Sequence, residues 1–562
     1  MKQISTLLDS LKSTLSFKEQ IIASFLLLIP LVNFTIGSLW LMIGLNVSAA
    51  IFPFSFLIAI ALCYTLFKKK ATLNAFILNL FYGFALFLIC IFTCRWFYDV
   101  SFDGQWYHQD AIILLSQGWN PFYDAPLLIE QTSGACAPYL NHYPKGSWII
   151  SAYLYRFLNN IQMAKAYNLL FIMSTFLYCI YYLKKWLKLP FLTCILCSFL
   201  LSFSTISFGQ SLSFYVDGQI ASLLLLVIFL LIDYLDSKLH FSKLVLLALL
   251  VFYIVNIKFT ALIYVVLFSF TAFIYLIIKN KALLYRFVGQ QSLVFFLAVF
   301  VFGFPTYVTN TIEKSHPFYP IMGPDNEGQR IAEIPYPKNF FNKNRFEKYY
   351  LSSFAIPEWT SPKLKGSQPK KLFNKEGTLY SFKYFRNPQP PMPLSPSGPI
   401  HAELLIFLIP LILVFFFKKQ KTETYVILGG LLFSILIQPE LWNYRYTPQI
   451  WFFYLFFILF GLIHFNKWIK YYASFVAVIA FINVGITHKQ YLSYNREKTN
   501  VFNSEIEKMK NKKVCIKKGW MRSFEYRLKE KDIDYHFCED EKDFESFEGG
   551  DFSNWKYKTD SP

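Results

Sequence analysis

The stretch FDGQWYHQDAIILLSQGWNPFYD, residues 102–124, sets Asp103, Tyr107 and Asp110 at i, i+4 and i+7, on one face of a helix, with His108 beside them. A carboxylate and an imidazole five residues apart are groups that can accept and relay a proton. Asp103 is the candidate general base, with Asp99 and Asp110 as substitutes if the register differs. His108 would orient an acceptor or assist proton transfer, and Tyr107 shares the face as a substrate contact. Cations stand elsewhere in the chain, at Lys145 in NHYPKGSW, Lys258 in NIKFTALIY and Arg445 in PELWNYRYTPQIW. Lys258 and Arg445, with Lys145 third, are suited to an anionic leaving group such as a phosphate. Asp217, in SFYVDGQIAS, opens an apolar helix; the peptide dipoles there stabilise its charge whether or not it meets substrate. Glu440 reads as structural. Taken singly each residue has a plainer reading, since interfacial carboxylates are simply wet and long cations snorkel to lipid headgroups.

These residues need elements to hold them, and the composition says what kind. The 562 residues are 55% hydrophobic and 20% aromatic, with only 16% charged and a positive mean hydropathy. That describes a polytopic membrane protein. Apolar runs long enough to cross a hydrocarbon layer of roughly 30 Å recur from Ile21 to Ile486. They predict about thirteen spans, near 21–42, 46–67, 76–96, 166–183, 191–208, 217–235, 243–257, 259–278, 288–308, 402–417, 424–442, 447–465 and 471–486. The two around Lys258 are short and meet without a real loop, as spans or as half-helices. The first run begins too late for a cleavable signal peptide and reads as an uncleaved signal anchor. Most of the net charge of +19 comes from lysines in short loops, which the positive-inside rule explains and which gives no reason to expect nucleic acid. Taking Lys68, Lys69 and Lys70 as cytoplasmic puts the lysine groups at 184–188, 279–286, 418–421 and 467–470 on the same side. The N-terminus is then inside, the C-terminus outside, and segments 95–165 and 309–401 lie on the outer face. The Lys-, Phe-, Asn- and Ile-rich composition points to an AT-rich bacterial genome and thus to a plasma (inner) membrane.

The chain divides into five parts: a two-helix segment 1–75; a core 76–308 holding the first outer loop 95–165; a proline-rich outer loop 309–401; helices 402–486; and a small α/β unit 487–562. The outer loop carries fourteen of the 26 prolines from Asn310 to Ile400 and predicts an extended cover. After about Lys489, KKVCIKKG, MRSFEYRLKEKD and IDYHFCED read as strand, helix and strand. Cys515 and Cys538 fall in this tail and can pair if that side is oxidising. No residue set has zinc-ligand spacing, no internal repeat is present, and no glycine loop is of the phosphate-cradling kind.

With FDGQWYHQDAI followed by a glycine and NPFYD, then YPKGSW, YVDG, HPFYP and RYTPQIW, the chain resembles the GT-C superfamily of integral-membrane glycosyltransferases over roughly residues 76–465. Within it, the chain resembles the protein O-mannosyltransferase and lipid A aminoarabinose transferase group. The resemblance implies an all-helical membrane bundle, a polyprenyl-phosphate-linked sugar as donor, and transfer at the outer face with inversion at the anomeric carbon. It also implies an acidic residue of the first outer loop as base, and Asp103 is the matching position. The acceptor would be a glycan, a lipid or a protein. Two helices precede the matching span, and the adjacent paired acids of some members are missing, so the resemblance leaves room for a divalent metal without requiring a cofactor. Two other readings use the same architecture: an O-antigen polymerase or ligase, relying on outer-loop arginines, and a transporter or flippase of lipid-linked sugars.

Overall fold

In hydrocarbon a backbone must satisfy its own amides, so apolar runs of this length fold as helices. The computed structural model describes residues 18–133, 136–323, 343–356, 368–369, 398–464, 466–516, 521–538, 545–546 and 556–559, and these are mostly helical. Seven helical stretches are long and apolar enough to cross a membrane: Lys18–Met42, Leu73–Trp96, Ile161–Leu187, Asp217–Asp236, Phe259–Lys279, Lys281–Val301 and Lys467–Met509. Shorter apolar helices run over Ile51–Phe67, Phe191–Ser202, Phe241–Val255, His401–Phe417, Thr422–Leu436 and Gln449–Ile463. The stretches either side of Lys258 differ from one another. Phe241–Val255 is short, whereas Phe259–Lys279, at 21 residues, is of crossing length by itself.

Helix α1 (Lys18–Met42) packs against α2 (Ile51–Phe67), α3 (Leu73–Trp96) and, further along the chain, helices Gly146–Leu158, Tyr167–Tyr182 and Phe241–Val255. Its side chains are buried almost throughout, and hydrogen bonds tie it to neighbours: Asn33 donates to Ser55 at 2.9 Å, Ser24 bonds the Tyr178 hydroxyl at 2.5 Å, and Ser174 donates to the Ala23 carbonyl at 2.8 Å. The first two helices, set apart by the sequence reading, therefore belong to the core. At one end of the bundle Lys184 pairs with Glu19 at 3.0 Å, Lys185 with Asp233 at 2.6 Å, and Lys243 also with Asp233. Lysines from separate loops thus share one end.

The other end carries the long loop that follows α3. Leaving α3, the chain forms a π-helical turn, Gly104–His108, and then α4 (Gln109–Ser116), α5 (Ala137–His142) and α6 (Gly146–Leu158). This stretch was expected to lie on the membrane surface. Instead Gln105, Tyr107, His108, Gln109 and Asp110 are buried: Gln109 and Asp110 meet Arg527, Tyr526 and Arg522 from the C-terminal part of the chain, while Tyr107 and His108 pack against Tyr139, Tyr143 and Trp148. The helix Lys467–Met509 runs unbroken for 43 residues, about 65 Å at 1.5 Å per residue, straight through the boundary expected at 487. Beyond it, strands Val514–Ile516 and Tyr535–Phe537 pair in parallel, joined by the helix Ser523–Glu530, and Lys556–Thr559 and Glu545–Ser546 complete a four-stranded sheet. Val514, Ile516, Phe524, Leu528, Ile533 and Tyr557 pack with Phe502, Ile506 and Met509 of the long helix and with Val100 of the loop after α3. Cys515 and Cys538 are joined as a disulfide. The proline-rich cover falls largely on 324–342, 357–367 and 370–397, outside the described residues.

Candidate functional site

Four charged residues from four separate segments meet where the loop after α3 lies over the bundle. The Arg445 guanidinium donates from Nη2 to Asp103 Oδ2 at 2.7 Å and from Nε to Asp217 Oδ2, and Lys258 Nζ donates to Asp217 Oδ1 at 2.5 Å. The result is a ladder, Asp103–Arg445–Asp217–Lys258, whose first two members are 342 positions apart in sequence. Asp217 is its closed end, at 1% side-chain exposure, whereas Asp103, Arg445 and Lys258 keep 21%, 16% and 22%. An incoming molecule can therefore reach the cations and the distal carboxylate but not the shared one. The two bonds of Arg445 use two of its five N–H donors. Burial works against the Arg445 charge, yet Asp217 and Asp103 hold it well above the ordinary range.

Each member is held by local structure. Asp217 is the first residue of its helix, where the dipole favours a carboxylate. Gln210 braces it, donating to Oδ2 at 3.3 Å while accepting from the Gly218 N–H at 2.7 Å. Asn168 holds the preceding segment by donating to the carbonyls of Gln210, Ser213 and Tyr215. Lys258 caps the start of the helix Phe259–Lys279, and the turn before it is fixed by the Gly146 N–H donating to the Asn256 carbonyl at 2.6 Å. A Cβ at position 146 would meet that same oxygen at 2.6 Å, so the close approach requires glycine. Arg445 sits in the turn before Gln449–Ile463, its N–H bonded to Asn443 Oδ1 at 3.1 Å. The Asp103 N–H donates to Tyr215 Oη at 3.2 Å.

Both cations lie over tyrosine faces, Arg445 at 4.4 Å from the Tyr215 centroid and Lys258 at 4.5 Å from that of Tyr446. The sequence reading missed these two rings. Their signal is adjacency, since Tyr215 stands two residues before Asp217 and Tyr446 directly follows Arg445.

His108 completes the wall. Its Nδ1 accepts from the Trp148 indole N–H at 2.7 Å, which leaves the neutral ring's proton on Nε2. Nε2 is buried and has no hydrogen-bond partner among the described residues. Burial, aided by Arg445 and Lys258 and opposed by Asp217, pushes this histidine down to about 3. The neutral ring lies close enough to Arg445, Asp217 and Lys258 to feel their charges. Tyr107 packs among Tyr139, Tyr143 and Trp148 behind it.

Three other candidates are engaged elsewhere. Asp99 accepts from the N–H and hydroxyl of Ser101, at 2.8 and 2.7 Å, and from the Phe214 N–H at 3.0 Å. It is fully buried and stitches the loop after α3 to the segment before Asp217. A Cβ at Gly104 would overlap its carboxylate. Asp110 does not share the face of Asp103 as the i+7 spacing predicts, because the wide π-turn rotates the helix after it. Instead it accepts from the Ser133 N–H at 2.7 Å and the Tyr526 hydroxyl at 3.3 Å and lies 3.5 Å from Arg522. Burial raises its carboxyl above the usual range. Lys145 gives its Nζ protons to the carbonyls of Asn141, Tyr143 and Pro305 at 2.8, 3.0 and 3.1 Å. Burial pushes that amine down to about 7, and its protons are engaged by backbone carbonyls, so it ties these segments together. Glu440, read as structural, accepts from the Trp442 indole.

The chain matches no known family model and no curated protein sequence.

Proposed function

We propose that this chain is a membrane glycosyltransferase of the GT-C kind, moving a sugar from a polyprenyl phosphate to an acceptor hydroxyl at the outer face of a bacterial plasma membrane. The observation that carries the reading is the half-open ladder, in which a carboxylate and two cations converge and remain partly accessible. Asp103 is the base. In the resting protein Arg445 pairs with it; a donor phosphate binding to Arg445 and Lys258 competes for those N–H groups and frees the carboxylate to take the acceptor's proton. The acceptor oxygen then bonds to the anomeric carbon, the carbon–oxygen bond to phosphate breaks, and its electron pair stays on a phosphate oxygen held by the two cations. His108, as a neutral donor, orients the acceptor or the sugar. The seven long and six shorter apolar helices fall close to the thirteen expected spans, which supports a thirteen-span reading with the lysine-rich end cytoplasmic and the small C-terminal α/β unit outside.

The test is transfer by the purified protein in lipid vesicles, using polyprenyl-phosphate sugars from the source cells and mass-spectrometric readout of the glycan. Asp103→Asn should slow transfer by about 10²–10⁴-fold, the usual contribution of a general base, and leave donor binding nearly unchanged. Arg445→Ala should weaken donor binding itself. Undiminished transfer in Asp103→Asn defeats the reading. Donor that crosses the bilayer without being consumed by the wild type would identify a transporter.

A further inference from the structure

Away from this site, strand pairing assembles a second set of chemically able side chains. In the parallel pair Val514–Ile516 and Tyr535–Phe537, Cys515 stands opposite His536. Cys538 comes two residues later and so points to the same face as His536. The ligand atoms of Cys515, His536 and Cys538 all lie within 4.8 Å of one another, and His536 Nε2 is 3.3 Å from Cys538 Sγ. Nothing in the sequence spacing announces this, because Cys515 and His536 belong to different strands with a helix between them. The set becomes visible only once the two strands pair.

We propose that, once the Cys515–Cys538 disulfide is reduced, these three residues form a thiolate–imidazole site for a zinc-class divalent cation. Two thiolates and one imidazole are a donor set suited to zinc. At bond lengths of about 2.3 Å to sulfur and 2.0 Å to nitrogen, tetrahedral geometry asks for ligand atoms about 3.5–3.8 Å apart. The imidazole and the Cys538 sulfur are already near that separation, so the two sulfurs have only to move out of bonding contact. Cys515 is buried while the other two are half-buried, which leaves the fourth position to water. Reduction by a phosphine passes an electron pair to the disulfide and yields two thiols and a phosphine oxide, whose oxygen comes from water. Cation binding then releases the two thiol protons. The cation replaces the disulfide as the cross-link between the two strands that flank helix Ser523–Glu530, so that helix stays docked on the first outer loop in either redox state.

The experiment uses the full chain in detergent, reduced with a phosphine and titrated with cobalt(II). Wild type should develop sulfur-to-cobalt charge-transfer and tetrahedral d–d absorption at one cobalt per chain, and zinc should bleach it. The unreduced protein should show neither. Cys515→Ser and Cys538→Ser should abolish the bands, and His536→Ala should weaken binding about tenfold or more. Should the reduced chain prove too loose for titration, the thermal midpoint serves instead. Zinc should then raise it in reduced wild type and not in Cys538→Ser. Bands that persist in the cysteine variants, bands absent from reduced wild type, or a midpoint indifferent to zinc would each overturn the proposal.

Discussion

Asp217 serves two cations at once from a site with almost no access to water, and that makes it the most sensitive residue of the ladder. Replacing it by Asn removes the negative charge between Arg445 and Lys258, leaving Lys258 without its carboxylate and Arg445 with Asp103 alone. Breaking a fully buried pair costs roughly 3–5 kcal/mol; because both cations are partly exposed, about 2 kcal/mol is expected here, read as a lowered thermal midpoint in detergent. An unchanged midpoint would mean that water already screens the ladder. His108 makes a prediction with a definite sign. Its folded value of about 3 lies below the ordinary histidine value, so the unfolded chain takes up this proton first as pH falls. Its stabilising contribution is full above about pH 6.5 and declines toward pH 3. His142, pushed down to about 4 by burial against the pull of Asn310, adds a slope of the same sign. His108→Gln should therefore reduce, without removing, the fall in thermal midpoint between about pH 7 and pH 5. Identical slopes in variant and wild type would show that the ring is solvated.

At the scale of elements, the helix Ser523–Glu530 acts as a clamp on the loop that bears Asp103. The N–H of Arg522, at its start, donates to Ser133 Oγ at 2.9 Å, and the same residue's guanidinium reaches the Gln131 carbonyl and Asp110. Glu530 accepts from the Ile161 N–H at 3.0 Å, and Arg527 donates to Gln109 at 3.3 Å. Arg522→Ala strips the fully buried Asp110 of its cation and should cost about 1–2 kcal/mol. The loss should appear as faster amide exchange over residues 104–116. Because an uncompensated carboxylate is the cause, Asp110→Asn in the same chain should recover part of it; a double variant as loose as the sum of the single ones would refute the coupling.

For the whole molecule, the two ends are chemically unlike. One gathers Lys184, Lys185 and Lys243 around Glu19 and Asp233, while the other holds the ladder beneath a roof of sheet and helix. The 24 residues of Leu73–Trp96 separate them by about 36 Å at 1.5 Å per residue. The Tyr98 N–H donates to Thr499 Oγ1 at 3.1 Å, which puts the far part of the long helix at the ladder end. With the proposed orientation, a membrane-impermeant maleimide added to intact cells should modify Glu497→Cys and spare Lys69→Cys. Labelling of both, or of Lys69→Cys alone, would reject that orientation.

Hydrophobic length and turn chemistry are local properties, and so the chain's own order of residues determined where the apolar helices run and which loops carry Asp103, Asp217, Lys258 and Arg445. Even the strand–helix–strand tail could be read that way. Which of those loops meet is not local. Asp99, Asp110 and Lys145 look as able as Asp103 in one dimension, but folding hands each a partner from a distant segment: the Phe214 amide, the Ser523–Glu530 helix region and the Pro305 carbonyl. A π-turn too short to leave a periodic signature swings Asp110 away, and a strand pairing brings His536 to two cysteines. Packing alone decided these matters, because an ion pair forms between groups that the fold brings within a few ångströms, however many residues lie between them.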